Sequence, residues 1–97
     1  MQIRFSPGAL KYMHKRGAST VVLDLVDMET GGSVGVVKDV AVGFQAPKDL
    51  KAYRYDRVQG VDVYVHRALR IHGPIRIKKQ GFWKLSSLYA DGLQVPI

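Results

Sequence analysis

Apolar and polar positions along the chain change period early and then hold a new one. Gln2-Ile3-Arg4-Phe5 alternates, and Ser6-Pro7 follows as a helix start, because serine can cap and proline suits the first helical position. Ala9, Leu10 and Met13 then fall on one stripe of a helix that runs to Lys15 and Arg16. The basic residues complement the dipole of the last turn, and Gly17 can take the left-handed stop. A helix of about ten residues gains little from its own propensity, so docking must hold it.

From Ser19 the period becomes two. Thr20 to Val26 is rich in β-branched residues, with Val21, Leu23 and Leu25 on one face. Met28 to Ser33 breaks the pattern. It resumes over Val34 to Phe44, where Val40, Val42 and Phe44 alternate with Ala41 and Gly43. Gln45 to Asp49 reads as a loop. Ala52 to Asp56 and Val61 to His66 alternate on either side of Val58-Gln59-Gly60, which predicts a hairpin. Arg67-Ala68-Leu69 is expected to form a single helical turn or a corner. Gly73-Pro74 is expected to open a last regular strand, Ile75 to Lys78, and Asp91-Gly92 to end a bulged strand or turn built from Gly81 to Tyr89. Leu93 to Ile97 would fray or dock.

These elements predict one domain over residues 1–97. It should be mainly β, a small sandwich or pseudo-barrel of about six or seven short strands with one N-terminal helix. A chain of this length holds one modest core. Its longest apolar run is far below a membrane span, and no apolar leader region follows the opening alternation, so a cytoplasmic protein is expected.

Composition narrows the chemistry more than the fold. The chain has no cysteine, which excludes disulfides, thiolate zinc sites, cysteine nucleophiles and iron–sulfur ligation by its own thiolates. Lysine and arginine number 15 against 8 acids, a formal charge of +7, and the excess is uneven. No acid occurs between Asp62 and Asp91, a stretch that carries Arg67, Arg70, Arg76, Lys78, Lys79 and Lys84. Such a run could attract nucleic acid or another polyanion, or simply be a solvated surface.

Several segments together resemble a known family. Ile3 to Tyr12 reads I-x-F-S-P-x-A-L-x-Y, Val21 to Val26 reads V-V-L-D-L-V, and a Gly-rich loop follows. Tyr55 to Val65 reads Y-D-x-V-x-G-V-D-V-Y-V. In this order the pieces resemble a HesB-like domain, the fold of the A-type iron–sulfur carriers. The late segment G-F-W-K-L-S-S-L, Gly81 to Leu88, resembles the branch of that family that carries a CC/Se motif. The resemblance spans Gln2 to about Gly92.

It implies a carrier fold, a tendency to form homo-oligomers or engage protein partners, and cysteine or selenocysteine in the loop after the second strand. The corresponding loop here is Thr30-Gly31-Gly32-Ser33, with Ser86-Ser87 and Asp91-Gly92 further on. Soft iron–sulfur centres need thiolates, and an alcohol does not ionise near neutral pH. The expectation is therefore a non-enzymatic accessory or interaction protein that binds no cofactor by itself. A form whose native Cys or selenocysteine at 30–33 has been replaced is an alternative.

Other candidate chemistry is thinner. His66 and His72, with Asp62, could hold a metal only if the rings converge, since no H-x-H or H-x3-H spacing occurs; no metal site is expected. Tyr53, Tyr55 and Tyr64 interleave with Arg54, Arg57 and His66. That interleaving could stack bases, but alternation favours cross-strand packing in which the tyrosines cover the core edge and Arg54 faces water. Phe82-Trp83 is expected in the core. Ser33, Ser86 and Ser87 lack a neighbouring His–Asp grouping, so no serine nucleophile is expected.

Overall fold

The structure, a computed structural model, describes residues 1–29, 36–81 and 85–96, with the backbone alone at 27–29 and 36–38. The helix α1 spans Pro7–Arg16 and is bounded as its sequence requires. The Ser6 hydroxyl accepts the Ala9 N–H at 3.1 Å, Gly17 takes φ 69°, and the Ala18 N–H donates to the Met13 carbonyl at 2.9 Å. Ala9 and Met13 are buried, while Leu10 and Tyr12 are partly buried against the same core.

Seven strands are seen among the described residues, in two sheets. In the three-stranded sheet, β6 (Arg70–Gln80) lies between β1 (Ile3–Phe5) and β7 (Ser87–Gln94), parallel to the first and antiparallel to the second. The four-stranded sheet has the order β3 (Val36–Gly43), β2 (Thr20–Glu29), β5 (Val61–His66), β4 (Tyr53–Val58). Its outer pairs are antiparallel and its central pair, β2 with β5, is parallel. Among the described residues the fold is mainly β with one α-helix, as the alternation predicts.

The two sheets and the helix share one core. Val21 and Leu23 of β2, Val61, Val63 and Val65 of β5, and Ile75 and Ile77 of β6 recur at every second position and are buried. Each such side chain contributes about 1.5–3 kcal/mol through burial. Leu69, also buried, plugs the corner where its N–H bonds the His66 carbonyl at 3.1 Å. The predicted β4–β5 hairpin forms around Gln59 and Gly60, both at positive φ, the turn type that matches strand twist. Gln59 also joins the two sheets, because its Oε1 accepts the Phe5 N–H at 3.0 Å.

The break expected from Met28 comes later, because β2 runs on through Glu29 in register with Val36 of β3. Two further boundaries move. Gly73-Pro74 lies inside β6 and does not open it, and Asp91-Gly92 lies inside β7 and does not end it. The cause is one bulge. Ile71 pairs with Leu93 and Arg76 with Asp91, so residues 72–75 stand opposite Gly92 alone. Proline is tolerated there because the ladder is already interrupted. Gly92 has φ 86°, and a Cβ on it would run into the Pro74 carbonyl oxygen. Leu93 and Val95 dock against the core, which removes the frayed tail as far as residue 96.

Candidate functional site

Because Val61, Val63 and Val65 face inward, Asp62, Tyr64 and His66 must face outward from the same strand. The β4 register sets Arg57 opposite Asp62, Tyr55 opposite Tyr64 and Tyr53 opposite His66. The result is a layer of cross-strand contacts. The Tyr55 hydroxyl donates to Asp62 Oδ1 at 2.6 Å, and Arg57 Nη1 donates to the same oxygen at 2.9 Å. The Tyr55 and Tyr64 rings stand 5.1 Å apart, and the Tyr53 ring meets His66 edge-on at 5.1 Å.

Tyr53 and Tyr55 thus cover the outer face of the sheet and not the core edge, since their strand neighbours at the register positions are the outward residues of β5. Arg54 is exposed even though the register pairs it with the inward-facing Val65, on the opposite face of β4 from the tyrosines. Bonding to Asp62 raises the Tyr55 phenol above its ordinary value, and bonding from Tyr55 and Arg57 lowers the Asp62 carboxyl. The Tyr53 phenol is pushed up to about 12 by desolvation and by its hydrogen bond to Asp24 Oδ2, at 2.8 Å.

This face continues into an open groove of about 930 Å³. Val22, Asp24, Ala41 and Gly43 floor it, Tyr53 stands at one side, and the segment 44–49 walls it. Arg16, at the end of α1, lies 4.5 Å over the Phe44 ring and also takes part in that wall. Sequence reasoning missed the groove. Its signal was the small pair Ala41 and Gly43, which alternate with Val40, Val42 and Phe44 and so had to face away from the core.

The basic run between Asp62 and Asp91 is divided by strand alternation. Arg76 and Lys78 share the outer face of the three-stranded sheet with Arg4, and Lys78 Nζ lies 3.6 Å from Asp91. Lys79 faces the other way, with its side chain beside Gly8 of α1. Arg67 donates from Nε to the Lys51 carbonyl at 2.9 Å, and Arg70 is exposed at the start of β6. Lys84 lies outside the described residues, as do Phe82, Trp83 and the loop Thr30, Gly31, Gly32, Ser33.

The histidines are not brought together. His66 ends β5 in one sheet, and His72 lies in β6 of the other. His66 Nδ1 accepts the Ala68 N–H at 3.0 Å, which leaves Nε2 to carry the proton of the neutral ring. Asp62 is occupied by Tyr55 and Arg57. Among the described residues no three His, Asp or Glu side chains gather into a metal-ready group. Ser87 accepts from Gln80 Nε2 at 3.0 Å, and Ser86 is half-buried.

The fold and this site define a two-sheet, mainly-β domain with, among the described residues, one α-helix laid over its core, and the sequence holds no thiol. Over residues 1–93 the chain matches the model of the CC/Se motif containing family, and it belongs to that family. It is similar to the crystal structure of Escherichia coli SufA, which is involved in biosynthesis of iron–sulfur clusters. That likeness has 10% sequence identity and a TM-score of 0.49, and it covers 94% of this chain and 80% of that one. No curated protein matches the chain. Among the described residues no helix is long and apolar enough to cross a membrane.

Proposed function

We propose that this chain is a cysteine-less member of its family, an accessory or interaction protein of the cytoplasm that is not itself an enzyme. One observation carries the reading: a chain matched to the CC/Se motif containing family over residues 1–93 has no cysteine in its 97 residues. Its hydroxyls and imidazoles are poor donors for soft iron–sulfur centres, which take thiolates. The segment Thr30 to Ser33 is where the family resemblance would put such donors, and there the chain has only threonine, glycine and serine.

What it retains is surface. The outward tyrosine layer and the adjoining groove give it a rigid polar face, built on strands and suited to contact with a protein. Self-association is part of the same reading.

Isolation of the tagged full chain from its own cells under anaerobic conditions tests it. A stoichiometric protein, whether a second kind of chain or further copies of this one, should copurify, and the complex should re-form from purified components. A chain that runs alone and carries iron and sulfide in its own right would contradict the reading.

A further inference from the structure

A second concavity, of about 510 Å³, lies between α1 and the end of β6. Lys11, Lys15 and Arg16 of the helix and Lys79 of the strand line it, together with Tyr12 and Ser86, and among the described residues no acid does. Among the described residues none of these four cations has a carboxylate within ion-pair distance. Lys11 and Lys15 are one helical turn apart, a like-charge spacing that weakens a helix. Arg16 is already held: its Nη1 donates to the Tyr12 hydroxyl at 3.3 Å, and its guanidinium rests on Phe44. The Tyr12 oxygen accepts that bond, so its own proton remains to be donated.

The seventh lining residue is Gly8, in the first turn of α1. Glycine is a poor helix residue, and sterics do not require it here. A Cβ at this position would meet only Lys79 side-chain carbons, at 3.7 and 3.9 Å, which is ordinary contact. Its main effect is to leave the pocket wall without a side chain. Two features that weaken the helix, Gly8 and the Lys11–Lys15 pair, therefore converge on one basic concavity.

We propose that this pocket binds a compact polyphosphate group, a chain of two or three phosphoryl units. Four cations lining one concavity call for several negative charges close together, which a phosphate chain supplies and a single carboxylate does not. An extended nucleic-acid backbone fits less well. It needs cations in a continuous track, whereas Arg76 and Lys78 lie on the opposite face of β6 from Lys79.

Titration calorimetry of the full chain with inorganic tripolyphosphate, in low salt, tests the site. Saturable one-to-one binding is expected. Lys15→Gln and Lys79→Gln should each weaken it roughly tenfold, the loss of one charge-assisted contact. Arg76→Gln, which removes the same charge elsewhere, should change it less than threefold.

Gly8→Glu separates binding from folding. An acid in the first turn favours the helix, so the thermal midpoint should hold or rise while binding falls by roughly tenfold or more. Adenosine triphosphate binding as tightly as tripolyphosphate would assign a free phosphate chain, and tighter binding would assign a nucleotide. No saturable binding, equal weakening by Arg76→Gln, or tighter binding of a twelve-residue single-stranded oligonucleotide would overturn the proposal.

Discussion

The Tyr53 hydroxyl reaches across an intervening strand to bond Asp24 Oδ2 at 2.8 Å. Tyr53 is on β4 and Asp24 on β2, and β5 lies between them, with the His66 ring edge-on beneath the tyrosine. The contact fastens the edge strand β4 to the middle of its sheet independently of the backbone ladder. Tyr53→Phe removes the hydroxyl and keeps the ring against His66. It should lower stability by about 0.5–1.5 kcal/mol, measured by urea unfolding, with the slope unchanged.

The same layer makes stability respond to pH at both ends. The Tyr53 phenol is raised from 10.0 to about 12, so its contribution is whole below pH 10 and is lost as pH climbs toward 12. Tyr55 is raised and acts in the same direction in that alkaline window. Asp62 is lowered from 3.8, so its contribution is present above that value and fades as pH falls below it. Solvent screening keeps the Tyr53 effect to about 1 kcal/mol or less. Thermal midpoints should therefore decline above pH 10, and Tyr53→Phe should flatten that decline.

Gly92 governs the bulge between β6 and β7. Gly92→Ala meets both a positive φ and the Pro74 carbonyl oxygen, so it should cost more than about 2 kcal/mol in chemical denaturation. Gly8→Ala, with a helical backbone and room for a methyl group, should stabilise by about 0.5–1 kcal/mol in the same assay. A Gly92→Ala protein as stable as the parent would show that the bulge can move.

The contrast between these glycines marks what a single chain makes legible. Ser6, Pro7 and Gly17 declare the helix because capping is local chemistry, satisfied within four residues. Val21, Leu23, Val61, Val63 and Val65 declare buried faces because the strand period is two. Gly73-Pro74 and Asp91-Gly92 misled because turn residues also build bulges, and which of the two forms depends on a partner strand about 18 residues away in sequence. Pairing between β1 and β6, and between β2 and β5, is parallel and non-local, and no adjacent motif encodes it.

Sites follow the same division. The absence of thiols is a property of composition and is legible at once. The division of Lys78 from Lys79 follows from strand alternation alone. The meeting of Lys79 with Lys11 and Lys15 depends on where the helix docks, and the groove over Ala41 and Gly43 depends on which loop walls it. Neither arrangement is local.

The segment Thr30 to Ser33 offers a gain-of-function comparison. Gly32→Cys with Ser33→Cys places adjacent thiols in it. The double variant should take up zinc or ferrous iron where the parent takes up none above background, as read by metal analysis after desalting. Equal metal content in the two proteins would show that hydroxyl and imidazole donors already suffice.

The most direct measurement is the iron and acid-labile sulfide retained per chain after anaerobic reconstitution and desalting of the unaltered protein. Neither is expected above background, and no charge-transfer absorbance should develop in the visible range. A stable cluster eluting with the folded chain, in stoichiometric amount, would contradict it.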